Sequence, residues 1–455
     1  MATNESPHDR QIVLAAIDVW QQDKRFDNLS TDKLYRVILK NKPEWRPASL
    51  DDEAAFTPER LHKCLADANM TPDRFEPQSY ASKIVSKFPV PYLVIPSSAS
   101  SWIDVRPIVS SDPSASDSKY KGKGVFAKTE IPKDKTIWTE TALFSVPSVS
   151  SVPHMRAGNA CAHCGTVFAR ALGTVGCTQC EARFCGTKCR AAATSSMAHA
   201  ATWHVGTKLS KTAQIGPKAW RKYEDMCSGA ASKDKNNEAA TESAWAAGYA
   251  VGMVLVRLAA EAQKSLEGAL KLQEQFEAMA TVGQDVRQAH AAGAGSNAAS
   301  RSLFASEQEE LVLKDGYNLL SKAITKAFSL DENTPGKLTY SYDRYLHNIG
   351  TWNLNNIKHC VFLIQSNLNH SCEPNSKTVF GNTTLDPISI VALRDISADE
   401  ELTISYVDPS LDYPARQRQL KGNWGFQCEC SRCVREKPSY EVDIDADGNI
   451  IEENA

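Results

Sequence analysis

LIQSNLNHSCEPNSKTVF, residues 363–380, sets Asn369, His370, Cys372 and a second asparagine, Asn375, close together just after an apolar run. Alone, the stretch reads as a strand end followed by a proline-containing turn. The rest of the chain argues for more.

The first support comes from near the C-terminus. There GFQCECSRC supplies Cys428, Cys430 and Cys433, one thiolate short of a closed tetrahedral zinc site. Cys372 can be the fourth ligand if the chain folds back, and the C-terminal segment would then be pinned over Asn369 and His370. Three ligands with an open position would instead make a catalytic zinc. No histidine or carboxylate of water-activating type accompanies the triplet, so the structural reading is preferred.

A second cluster is stronger. CAHCGTVFARALGTVGCTQCEARFCGTKCR, followed by HAATWH, spaces Cys161 and Cys164, Cys177 and Cys180, then Cys185 and Cys189, with His199 and His204 after them. These ligands suffice for two tetrahedral zinc sites. An alternating assignment is expected, the first and third pairs sharing one ion and the second and fourth the other. His163 lies between two ligands and is expected to be exposed. A module of this size has little core of its own, so zinc would supply most of its folding energy.

The totals fit an ordinary soluble globular protein. At 455 residues the chain predicts two or three domains. A net charge of −3 offers no basic field for nucleic acid or a membrane surface. The N-terminal MATNESPHDR lacks the apolar core of a secretory signal. WAAGYAVGMVLV stops at Arg257, too short for a bilayer, so its Gly248-x-x-x-Gly252 reads as close helix packing. With no export signal, the clustered cysteines among the 13 read as zinc thiolates in a reducing compartment.

Along the chain, residues 1–95 read as a helical N-terminal module. Val13, Ala16, Ile17 and Trp20 form one amphipathic stripe, and Leu34, Val37 and Ile38 another after a Ser30-Thr31 cap. Thr57-Pro58 opens a third helix carrying Leu61, Cys64 and Leu65. Lys33, Arg36 and Lys40 read as a solvated charged face. A Ser-rich, Pro-punctuated stretch around 97–120 holds the short strand WIDVRPIV, and KGKGVFAKTEIPKDKTIW gives a Gly-rich turn and two strands. Residues 207–350 read as helical, with Leu266, Leu270, Leu272, Phe276 and Met279 at helical spacings and loops near 228–240 and 290–302. β-type runs return after 357, and the alternation of ELTISY puts Leu402, Ile404 and Tyr406 on one face. The acidic tail, 437–455, is expected to fray.

GKGVFA, NHSCEPN, ELTISY and GFQCECSRC, in this order, resemble the successive motifs of a SET-domain protein lysine methyltransferase. The cysteine/histidine block resembles a MYND zinc finger. The arrangement is similar to the SMYD architecture, and closest to the fungal SET-MYND histone methyltransferases. The resemblance implies an α+β fold: SET-type short twisted sheets in 100–150 and 351–410, split by a MYND-like finger at 161–204 and the helical insert at 207–350. A post-SET zinc segment at 411–436 would follow.

The resemblance also implies S-adenosylmethionine as cofactor, three zinc ions (two in the finger, one in the post-SET clamp) and a protein substrate, histones or nucleosomes. Asn369 and His370 would contact the cofactor, Gly122, Lys123 and Gly124 would let backbone approach it, and Asn355 would add a contact. Phe426 would lie against the adenine or close the lysine channel. Tyr406 would be the catalytic residue, its hydroxyl beside the transferring methyl and the lysine nitrogen. The finger could bind peptide partners, and the nucleus is the expected compartment, with the cytoplasm as the other. Two departures stand out: the finger ends in His199 and His204 rather than His then Cys, and the sequence runs only to Ala455 after Cys433 where the SMYD pattern continues into a large helical domain, so the cleft is expected to be more open. Two other readings change the substrate to a non-histone protein or make the chain an inert MYND-finger adaptor. A nucleic-acid-binding zinc protein is disfavoured by the lack of a basic stripe.

Overall fold

The structure is a computed structural model that describes residues 7–23, 25–26, 29–47, 55–68, 80–109, 120–168, 174–195, 197–204, 211, 214–228, 238–287, 307–328, 341–440 and 442–451. They form two compact units, one from the two ends of the chain, up to Ser79 and from Tyr406, and one from the chain between Tyr80 and Ser405.

The central unit is built on short strands. β1 (Ile103–Val109), β2 (Tyr120–Ala127), β3 (Thr136–Glu140) and β4 (Phe144–Ser145) precede the cysteine block. β5 (Val175–Gly176) and β6 (Arg183–Phe184) lie in it, and β7 (Cys360–Val361), β8 (Asn369–His370), β9 (Ser376–Val379), β10 (Ile388–Ala392) and β11 (Glu401–Ile404) follow the helices. One sheet has the order β1-β2-β11-β8 and another β3-β10-β9, with two-stranded pairs β4-β7 and β5-β6. β8 runs parallel to β11, and every other pairing in these sheets is antiparallel. Val125 sits opposite both Val105 and Leu402, and all three are buried, so apolar alternation sets the register. The glycines of GKGVFA are not a turn before a strand: they lie inside β2. Pairing with β1 extends the strand through them, and Gly122 adopts φ 116, which a side chain would resist.

Helices Ile215–Cys227, Glu238–Ala262, Leu266–Glu277, Glu307–Phe328 and Tyr342–Asn355 make the insert. Trp220, Tyr223, Val251, Val254, Phe276, Ile324 and Ile349 share one core with Phe144 and Val361 of the β4-β7 pair. The Gly248-x-x-x-Gly252 spacing does bring two helices together. Tyr223 donates its hydroxyl to the Gly248 carbonyl at 2.5 Å, and a Cβ on Gly252 would lie 2.5 Å from the Tyr223 ring. Leu266 and Leu270, expected inside, are exposed, because that helix buries Ala269, Gln273 and Phe276 instead. The Glu238–Ala262 helix starts within the expected 228–240 loop. The expected 290–302 loop and residues 110–119 of the Ser-rich stretch lie outside the described residues.

The unit of the chain ends holds α1 (Asp9–Gln22), α2 (Thr31–Asn41) and α3 (Pro58–Asp67). Ser30 and Thr57 cap α2 and α3 by accepting the N–H groups of Lys33 and Arg60. The buried stripe of α1 is Ile12, Ala15, Ala16 and Val19, one position ahead of the expected set throughout and sharing Ala16 with it, with Val13 and Trp20 on its margin. The two stripes have the same spacing and are rotated from each other by about a third of a turn, so spacing alone cannot choose between them.

The acidic tail does not fray over its described length. It forms a hairpin of β12 (Asp443–Ile444) and β13 (Ile450–Ile451), and residues 452–455 lie outside the described residues. In its turn Asp445 Oδ1 accepts the N–H groups of Asp447 and Asn449 at 2.9 and 2.8 Å. Ile444 enters the core with Leu34, Val37 and Ile38, and Lys33 pairs with Asp443 at 2.7 Å. The charged face of α2 thus supplies a cation to the tail. Gly448 sits at φ 82, where a Cβ would fall 2.5 Å from the Arg36 carbonyl oxygen. Gly448→Ala should therefore destabilise this unit by about 1–3 kcal/mol, read as a lowered denaturant midpoint. An unchanged midpoint would mean that the hairpin contributes nothing to stability.

Candidate cofactor strands, zinc clusters and catalytic tyrosine

The quoted stretch is held by side chains on both flanks. Before it, the half-buried Glu140 at the end of β3 accepts the N–H groups of Ile364 and Gln365 at 2.6 and 3.0 Å. Burial pushes this carboxyl up, and the bonds from Ile364, Gln365 and Trp138 oppose that shift. Within it, Asn369 donates Nδ2 to the Lys123 carbonyl at 3.0 Å and to Glu401 Oε1 at 2.7 Å, linking β8 to β2 and β11. Gly124 must be glycine for this link, since a Cβ there would meet Glu401 Oε1 at 2.6 Å.

The second asparagine has a separate task. Asn375 Nδ2 donates to the Glu401 carbonyl and Glu400 Oε1, and its Oδ1 accepts the Thr403 N–H at 2.8 Å. Asn375 therefore stitches the turn after β8 onto β11. Sequence reasoning noted Asn375 without giving it a role and missed Glu140, Glu400 and Glu401. The only available signal was a carboxylate placed at the end of an otherwise apolar strand. His370 is half-buried, with Nε2 at 3.3 Å from the buried Cys372 Sγ.

Lys123 and Asn355 flank one backbone segment. Lys123 is buried, and its Nζ donates to the carbonyls of Ala278 at 2.6 Å and Lys87 at 2.9 Å. Asn355 Nδ2 donates to the carbonyls of Ala280 and Thr351 at 2.7 and 2.6 Å. Thr281 pairs with Val85, and its hydroxyl accepts from Thr351 at 2.9 Å. Residues 278–281 are thereby fixed from both sides. Among the described residues, nothing lies within 4 Å of where a Gly122 Cβ would point. The backbone of β2 can thus be approached closely, while the amine of Lys123 is committed to other carbonyls.

The cysteine block folds into two ligand clusters. Sγ atoms of Cys161, Cys164, Cys185 and Cys189 lie within 4.8 Å of one another, as do the ligand atoms of Cys177, Cys180, His199 and His204. The first and third pairs meet in one cluster and the second and fourth in the other. The β5-β6 hairpin, the Thr187–Thr194 helix with Cys189, and the Met197–Trp203 helix with His199 bring them together. Phe184, Met155, Ala193 and Trp203 make the small core beside them. Both donor sets suit a borderline-soft tetrahedral ion. His163 is not exposed as expected: it is half-buried, with Nε2 shielded from solvent, on a side reached by the positive charge of Arg257. Arg156 ties this block to the insert by donating to the buried Glu224 and stacking 4.2 Å over Trp203.

In the unit of the chain ends, Tyr406 is half-buried rather than a core residue. β11 stops at Ile404, so the alternation that buries Leu402 and Ile404 no longer governs Tyr406. Its ring lies 5.2 Å from Trp424 and 6.5 Å, edge-on, from Phe426. Asp412 caps the Tyr413–Trp424 helix, and Gly425 ends it at φ 73, turning the chain to present Phe426. Sγ atoms of Cys428, Cys430 and Cys433 lie within 4.8 Å of one another. Three thiols this close suit a thiophilic ion.

Comparison with known proteins fits this layout. The SET domain model matches residues 122–407, from the glycine strand through β11. The chain is 33% identical to histone-lysine N-methyltransferase SET5 of Yarrowia lipolytica over 95% of its own length and 83% of the relative's. It is 28% identical to the protein of that name in Scheffersomyces stipitis (94% and 81%) and 29% identical to that of Candida albicans (94% and 80%). The chain belongs to the SET-domain family.

Burial lowers the Lys123 amine from its ordinary value of 10.5 to about 8. Between these two pH values the unfolded chain holds a proton that the folded chain has released, so folding stability gains as pH rises across that window. The stability difference between wild type and Lys123→Met, taken from urea curves at pH 8 and pH 10, should shift in favour of wild type. A difference independent of pH would show that this amine does not titrate in that range.

Proposed function

We propose that the chain is an S-adenosylmethionine-dependent protein-lysine N-methyltransferase that methylates histone tail lysines. The observation that carries this is the SET match over 122–407, with relatives named histone-lysine N-methyltransferase covering nearly the whole chain. The joining of β2 and β8 through Asn369 supports a cofactor cradle made from those strands.

When bound, S-adenosylmethionine supplies an electrophilic methyl on a sulfonium. Backbone of Gly122, Lys123 and Gly124, together with Asn369 and His370, would hold it, and Asn355 would fix one wall. Phe426 would line the adenine side or the lysine channel, and the Tyr406 hydroxyl would orient the lysine nitrogen. The chain must present that lysine neutral and aligned; an apolar, aromatic-lined channel disfavours the ammonium, and the proton leaves to water. Positioning then supplies much of the acceleration.

The cysteine block would be a MYND-like finger holding two zinc ions, and Cys428, Cys430 and Cys433 would hold a third with Cys372 as fourth ligand. The finger would dock peptide partners, and the nucleus would be the working compartment. Elemental analysis should find about three zinc per chain, and chelation should unfold the finger and expose its residues to protease. Retained protease resistance after zinc removal would contradict metal-dependent folding.

Activity is tested by transfer of a labelled methyl from S-adenosylmethionine to core histones. Transfer to one histone should fall roughly 10²-fold in Tyr406→Phe. Undiminished transfer by the mutant would place catalysis elsewhere. Labelling of a cell extract but not histones would move the substrate to a non-histone protein. Loss of both transfer and cofactor binding would favour an adaptor.

A further inference from the structure

We infer that Arg416 is a positioning residue for the C-terminal metal cluster, set behind Cys433 to offset the negative charge of its thiolates. The inference rests on the reading that Cys428, Cys430 and Cys433 bind zinc. Arg416 is 0% exposed, an unusual place for a guanidinium, which is never neutral in a protein. One arm donates to the Leu411 carbonyl at 2.6 Å. The other donates to Glu436 Oε2 at 2.6 Å and lies 3.8 Å from Cys433 Sγ.

Glu436 does not serve Arg416 alone, since its other oxygen accepts from Arg432 at 2.7 Å. The second anionic acceptor facing Arg416 is therefore the thiolate of Cys433. Its helical neighbour Gln417 holds the same loop by its backbone: Nε2 donates to the Cys428 carbonyl at 2.8 Å, and Oε1 accepts the Cys428 N–H at 2.9 Å. One turn of the Tyr413–Trp424 helix thus fixes the first cysteine of the triplet and places a cation behind the last.

A divalent ion held by these three thiolates keeps about one negative charge, which is costly under cover. Donors from a second layer reduce that cost and typically change metal affinity 10- to 100-fold. Arg416 fills this role. Its location on the helix that leads through Gly425 to Phe426 links metal retention to the placement of that ring.

The test follows zinc leaving the purified full-length protein for a chromogenic chelator, with zinc counted at the start. Cys433→Ser marks which equivalent belongs to this cluster. Arg416→Met should release that equivalent at least about tenfold faster and the finger zinc at wild-type rates, with Arg416→Lys between them. Glu436→Gln separates charge from mere packing. It leaves Arg416 with the thiolate as its main anion, so release should be no faster than wild type. Release from Glu436→Gln as fast as from Arg416→Met would overturn the proposal, and so would wild-type release from Arg416→Met. Should Arg416→Met not fold, the Glu436→Gln result alone decides. A wild-type protein whose zinc count does not fall in Cys433→Ser would instead overturn the underlying zinc reading.

Discussion

The Nδ2 group of Asn369 joins three strands that the chain makes far apart. It donates to a carbonyl of β2 and a carboxylate on β11 while its own backbone pairs with β11 from β8. These strands are too short to hold one another by ladder bonds alone; β8 has two residues and β11 four. Cross-links from Asn369 and Asn375 substitute for strand length. They also explain the glycine at position 124, since the Glu401 carboxylate occupies the place of its missing side chain. Burial raises the Glu401 carboxyl, and the Asn369 amide opposes that shift.

The cysteine block solves another problem of size. Its apolar core is limited to a few side chains such as Phe184 and Trp203, too little to stabilise an independent domain. Two ligand clusters and one arginine make up the difference. Arg156 reaches a glutamate that is only 1% exposed, and a buried charge there requires its partner. The insert and the block therefore depend on each other through this ion pair as well as through packing.

Much of this was legible in the sequence because ligand spacing, caps and motif order are local. Cys161 to His204 fall into the clusters their spacing indicated, and Ser30 and Thr57 cap the helices they were expected to start. What escaped was set by distant partners. The fate of the acidic tail depended on Lys33 and the apolar face of α2, hundreds of positions away in the chain. The helix carrying Leu266 and Leu270 buries its alanine and glutamine side because the facing surface is there, and periodicity does not record which side faces inward. The alternation that places Tyr406 on the face of Leu402 and Ile404 holds only while the strand continues, and β11 stops at Ile404.

Lys123 shows why such distant partners matter to the site. Burying an amine is unfavourable, and burial accordingly lowers its pKa. A methionine or leucine would pack at this position without that cost. Neither could donate to the carbonyls of Lys87 and Ala278, and so reinforce two segments already joined by the Val85–Thr281 pairing and the bond from the Lys87 N–H to the Ala278 carbonyl. Asn355 fixes the same segment from the other side. A polar residue retained inside a β-strand, against its own solvation, is best understood as a structural clamp: it sets the position of residues 278–281 relative to β2, and any cofactor lying along β2 inherits that position.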